Sequence, residues 1–205
     1  MAATKPFDFL AFARRIYREK RGVHPKRFLL PALYGGDSRR RFEAVVVLEA
    51  PSVQFTVDRW KACGSAEQAV QCHREIFIDW AFRGKQAHLF QALSENGLTS
   101  STAPHRVRSR VTFFRRFYIT DVWKDAGFGI PTRDRSYKDY WLSKLAIELG
   151  TVPARRVILV GDQAAVGRRF VRPGTPVHYL PFPSQWMTEQ RCIDLVAELA
   201  EEIRG

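Results

Sequence analysis

Four stretches of this sequence set polar or charged residues directly behind short apolar runs, an arrangement that delivers side chains to one rim of a sheet. Glu49-Ala50-Pro51-Ser52 follows Ala44–Leu48, and Asp121-Val122-Trp123-Lys124 ends the run that begins at Phe117. Gly161-Asp162-Gln163-Ala164-Ala165 follows Arg156–Val160, and Phe182-Pro183-Ser184 follows Pro176–Leu180. A carboxylate in such a place can take a proton from water or steady a developing positive charge. Glu49 is the only acid of its stretch. The plainer reading of Glu49 is a solvated loop acid, and that of Asp121 is an ion pair with Lys124 or an arginine.

These residues need strands and helices to hold them. Ala44–Leu48 is a continuous valine-rich run, the signature of a strand buried on both faces, and Pro51 ends it because proline donates to no ladder. Phe117–Val122, Arg156–Val160 and Pro176–Leu180 read as three further strands. Phe7–Lys20 carries Phe9, Phe12, Ala13, Ile16 and Tyr17 on one side and arginines on the other, an amphipathic helix stopped by Gly22. Ser65-x-x-Gln68 is a capping box that opens a helix through about Phe82. Gln86–Ser94 reads as a second helical stretch, Tyr137–Leu149 as a helix closed by Gly150, and Thr188–Arg204 as the last helix. Strands alternating with helices predict an α/β fold, a three-layer αβα sandwich around a mainly parallel four-stranded sheet. Residues 1–205 form one expected domain, with 1–40 as a helical and loop extension.

The chain has 205 residues, 33 Lys and Arg against 21 Asp and Glu, and a formal charge of +12. Such a surplus favours a polyanionic partner, nucleic acid before a membrane surface. His105–Arg116 interleaves Arg106, Arg108, Arg110, Arg115 and Arg116 with Phe113 and Phe114, a mixture suited to phosphate contact and base stacking. No run is long enough to span a membrane, and Met1–Arg14 lacks the apolar core of a signal peptide. A soluble, cytoplasmic protein without membrane contact is expected. Cys63, Cys72 and Cys192 have no metal-site spacing, so no metal or other cofactor is expected.

In order and spacing, the four stretches resemble motifs of the uracil-DNA glycosylase superfamily, most closely the branch whose first motif is Gly-Glu-Gly-Pro-Gly. Leu48-Glu49-Ala50-Pro51-Ser52 follows a valine-rich strand as that motif does. Tyr118-Ile119-Thr120-Asp121-Val122-Trp123-Lys124 is similar to the branch's Tyr-Ile-Thr-Asn-Val-Val-Lys. Val160-Gly161-Asp162-Gln163-Ala164-Ala165 resembles its Leu-Gly-x-x-Ala-Ala. Phe182-Pro183-Ser184 stands where the family has His-Pro-Ser. Departures are as informative: the base-reading Asn is Asp121, the charge-stabilising His is Phe182, and the cluster cysteines of the related branch are absent.

The resemblance implies a monomer that binds DNA, duplex or single-stranded, flips a base into a pocket and hydrolyses its glycosidic bond. On that basis Glu49 is the expected catalytic residue, activating water. Phe55, Asp121 and Phe182 are the expected base-binding residues. Ser52, Lys124, Pro183, Ser184, Arg106, Arg108 and Arg110 are the expected DNA contacts. An ionised Asp121 would only accept hydrogen bonds, which disfavours plain uracil and favours an amino-bearing or otherwise altered base. Two alternatives remain open at this point: a non-catalytic DNA-binding protein on the same scaffold, and a phosphate-handling α/β hydrolase using Asp162.

Overall fold

Ala44–Leu48 forms strand β1, and all five of its residues are buried, as a valine-rich run between two layers requires. The computed structural model describes residues 7–23, 32–37, 41–49, 63–81, 87, 89, 90, 93, 113–124, 135–182 and 187–204. In chain order the elements are α1 (Phe9–Val23), β1, α2 (Ala66–Ala81), β2 (Phe117–Asp121), α3 (Arg135–Thr151), β3 (Val157–Val160), a 3-10 segment (Gln163–Phe170), β4 (Val177–Leu180) and α4 (Glu189–Arg204).

The strands form a single parallel sheet in the order β2-β1-β3-β4. Alternation along each strand sends side chains to opposite faces and creates two cores. Val46, Leu48, Phe117, Ile119, Ile158 and Val160 pack with Phe77 of α2 and Leu195, Val196 and Leu199 of α4. Val45, Val47, Tyr118, Val157 and Leu159 pack with Phe12, Ala13 and Ile16 of α1 and Trp141, Leu145 and Leu149 of α3. Helices thus cover both faces of the sheet, giving the expected αβα sandwich.

Local chemistry explains the ends. The Ser65 hydroxyl accepts the Gln68 N–H (3.2 Å) and Gln68 Oε1 accepts the Gly64 N–H (2.9 Å), so the capping sequence anchors the first turn of α2. Gly22 and Gly150 are the next-to-last residues of α1 and α3, so each helix ends within one residue of the glycine expected to close it. The stretch after β3 coils as a 3-10 segment, its Ala164 N–H donating to the Gly161 carbonyl (3.2 Å).

Two expectations change. Phe113 and Phe114, read as aromatics of a DNA-contacting run, are buried core residues against Phe77. Arg116 from the same run makes a two-pronged pair with Glu43 at 2.7 and 2.8 Å instead of an open cation.

Candidate functional site

The chain leaves β1 for β2 on one side, then returns past β1 to place β3 on the other. A strand order that reverses this way opens a crevice outside the carboxyl ends of the strands at the reversal, here β1 and β3. Glu49 stands one residue beyond β1, and Gly161-Asp162-Gln163 follow β3 at once.

These two strand ends interlock. The Gln163 N–H donates to Glu49 Oε1 at 2.9 Å. Gly161 has φ +92°, and a Cβ there would lie 2.5 Å from Glu49 Oε1, so only glycine allows the carboxylate this seat. The Gln163 side chain is fixed in turn by the Trp123 indole N–H, which donates to its Oε1 at 2.6 Å. Trp123 lies against Tyr137 with ring centres 6.2 Å apart, and its backbone N–H donates to the Glu49 carbonyl at 3.0 Å. Glu49 is half-buried, with one carboxylate oxygen gripped and the other unpartnered among the described residues. A carboxylate held this way can orient a water or face a developing cation.

The end of β2 carries two buried charge systems on opposite faces. Toward α3, Lys124 pairs with Glu148 at 2.7 Å, the two side chains 0% and 1% exposed. Glu148 also accepts the Tyr118 hydroxyl (2.8 Å) and the Thr120 hydroxyl (3.0 Å to each oxygen). Lys124 donates to Thr120 Oγ1 and to the Asp121 carbonyl (2.7 Å). Lys124, expected among the DNA contacts, is therefore a buried structural cation, because every donor it has is aimed into the protein.

Asp121 sits on the other face and is completely buried. Neither of its carboxyl oxygens has a well-formed hydrogen bond among the described residues, although the Tyr34 phenol lies close enough to interact with the group. Burial pushes the Asp121 carboxyl up to about 7, against the opposing pull of Lys124 and of the Tyr34 phenol within its reach. Burial, with the Asp121 charge beside it, raises Tyr34 well above the usual phenol value. Burial thus favours the protonated form of Asp121 over the expected ionised, acceptor-only form. The plainer alternative, an ion pair with Lys124 or an arginine, is not formed among the described residues, since the Lys124 ammonium contacts the Asp121 backbone carbonyl and not its side chain.

Phe182, two residues beyond β4, is 37% exposed and lies stacked on Trp80 of α2 at 6.3 Å and 25°. His73, deeper in α2, accepts the Leu33 N–H at 3.3 Å, and burial lowers its pKa from 6.5 to about 3, so it is a neutral core imidazole. Glu49, Asp121, Gly161-Asp162-Gln163 and Phe182 all come from the carboxyl ends of the four strands. Ser52, Phe55, Arg106, Arg108, Arg110, Pro183 and Ser184 lie outside the described residues. Gln163, Trp123, Tyr34 and Glu148 were not singled out in the sequence. The Leu-Gly-x-x-Ala-Ala resemblance marked the Gln163 turn, but nothing local marks Tyr34 or Glu148, whose partners are distant in the chain.

Among the described residues no helix is long and apolar enough to cross a membrane. No known protein family and no curated protein matches this chain.

Proposed function

We infer that the protein is a DNA base-excision glycosylase-like enzyme, which binds DNA and hydrolyses the glycosidic bond of a flipped base. The observation that carries this reading is the seat of Glu49 at the β1/β3 reversal. One oxygen is held by the Gln163 N–H against a glycine that leaves it room, and the other has no partner among the described residues. Hydrolysis of an N-glycosidic bond builds positive charge on the sugar, and a positioned carboxylate both stabilises that charge and orients the incoming water. Flipping a base costs a few kcal/mol, which stacking on the Phe182–Trp80 pair and the +12 charge would offset.

Asp121 bears on which base is taken. Ionised, it opposes a carbonyl oxygen and suits an amino group; protonated, it both donates and accepts. A preference for amino-bearing or altered bases over uracil is therefore expected above about pH 7, where the carboxyl loses its proton, and should fade below it.

The test is incubation with oligonucleotides carrying uracil, amino-bearing bases or damaged bases, followed by alkali to cleave at abasic sites. Wild type should release at least one of them, and Glu49→Gln should slow single-turnover release by about 100-fold while leaving folding and DNA binding intact. An unchanged rate in Glu49→Gln would place water activation elsewhere. A second reading, a non-catalytic DNA-binding protein, is favoured by the complete burial of Asp121 and by Phe182 in place of an imidazole. DNA binding with no release from any base would establish it.

A further inference from the structure

The 3-10 segment that begins at Gln163 starts without local help. Its cap residue, Asp162, makes no side-chain bond to the amides of the first turn, where a carboxylate ordinarily does so. Within that turn the Ala164 and Ala165 amides donate to the Gly161 and Asp162 carbonyls at 3.2 Å each. The Gln163 amide is left over at the start, and Glu49 takes it from a different strand end. A short 3-10 turn has poor hydrogen-bond geometry and is a weak anchor by itself. The direction of the carboxylate therefore depends on what holds Gln163 from outside.

Trp123 holds it. Glu49 follows β1, Trp123 follows β2 and Gln163 follows β3, and the three residues close a ring of hydrogen bonds. The Trp123 amide donates to the Glu49 carbonyl (3.0 Å), the Gln163 amide to Glu49 Oε1 (2.9 Å), and the Trp123 indole N–H to Gln163 Oε1 (2.6 Å). Gln163 is exposed, with a long side chain free to turn unless tied. Trp123 is buried in the core beneath α1 and α3 and lies 27° from parallel with Tyr137. A large ring in a close-packed interior keeps one orientation, so its N–H is a fixed point.

We propose that Trp123 is a positioning residue for Glu49: through Gln163 it carries the rigidity of the core to the carboxylate and sets where the second oxygen points. The role rests on the proposed function, in which that oxygen meets the water or the sugar. Displacing a reacting group by about 1 Å costs on the order of 100-fold in rate, so a fixed seat matters to turnover and not only to packing.

The test uses two substitutions in the full chain. Trp123→Phe keeps an aromatic ring against Tyr137 and removes the N–H. Gln163→Met keeps the length, removes the strong acceptor and leaves the backbone amide in place. Gln163 is exposed, so the second variant keeps the test open if the first unfolds. Each should slow single-turnover base release by about 10- to 100-fold, with DNA affinity within about twofold of wild type. Both break one bond, so the pair together should slow release no more than either alone. In a Glu49→Gln background neither should slow it further, whereas a merely structural role would slow both backgrounds alike. A readout independent of catalysis is hydrogen exchange of the Gln163 amide, followed by NMR. Trp123→Phe should speed it about 2- to 12-fold, the value of one hydrogen bond. Unchanged exchange in a folded variant would overturn the proposal whatever the rate does. So would unchanged release, or equal slowing in the Glu49→Gln background. Faster exchange in a protein whose wild type releases no base would uphold the hold of Trp123 on the Glu49 seat and reject the glycosylase reading.

Discussion

Replacing Asp121 by Asn tests the buried carboxyl directly. Burial lifts this group from its usual 3.8 to about 7. The fold therefore holds the proton more tightly than the unfolded chain does. Its contribution is undiminished below about pH 4 and is lost progressively as pH rises to about 7. Single-site linkage puts the loss between about pH 5 and pH 8 at roughly 2.5 kcal/mol. His73 has the opposite slope: burial lowers it from 6.5 to about 3, so stability is full above about pH 6.5 and is lost as pH falls toward 3. Over about pH 8 to 5 it forfeits about 2 kcal/mol, a slope opposite in sign to that of Asp121. Asp121→Asn keeps the volume but cannot ionise, which leaves the His73 slope alone. The advantage of the variant over wild type should widen by roughly 2.5 kcal/mol from about pH 5 to pH 8. Urea unfolding followed by tryptophan fluorescence at both pH values reads this as a growing difference in midpoint. An advantage constant to within about 0.5 kcal/mol, the usual additivity error, would refute a carboxyl held protonated by burial.

Gly161→Ala should cost about 1–3 kcal/mol through its positive φ and displace Glu49 from the Gln163 N–H; thermal unfolding and base release should fall together. Lys124→Met should cost about 3–5 kcal/mol by leaving Glu148 an unpaired buried charge. Combining it with Glu148→Gln should cost less than the two single changes added, as a double-mutant unfolding cycle would read. Affinity for duplex DNA should fall with salt at a log–log slope of about −4 to −5, from about five neutralised phosphates. A slope near zero for duplex and single strand alike would remove nucleic acid as a partner.

The architecture was legible because each element announces itself locally. A valine run such as Ala44–Leu48 fits only between two layers, and the apolar spacing of Trp141, Leu145 and Leu149 fits only a helix with one buried face. Helix ends were legible to within a residue at Gly22 and Gly150, just after which α1 and α3 stop. The basic run before β2 did mislead. Composition cannot tell an aromatic that stacks on a base from one that fills the core, and Phe113 and Phe114 fill the core around Phe77. In the candidate site, Glu49 could be placed at a strand end, but its grip by Gln163 depends on a contact 114 residues away.

The end of β2 shows why nearness in sequence is a poor guide to pairing. Asp121 and Lys124 are three residues apart and of opposite charge, which suggests an ion pair. A strand alternates its side chains, however, so Thr120 and Asp121 leave the sheet on opposite faces. Lys124 turns back over Thr120 to reach Glu148 on α3, where two hydroxyls already converge. With its ammonium committed there, Lys124 pulls on Asp121 only from across the sheet, and burial wins. Burial thus favours the neutral form of a carboxyl at this point, which donates and accepts much as an amide does. Asp121→Asn should therefore change the chemistry of this position less at low pH than at high pH. Base preference in wild type should converge on that of Asp121→Asn as pH falls below about 7 and diverge from it above. A preference independent of pH would mean that Asp121 never touches the base.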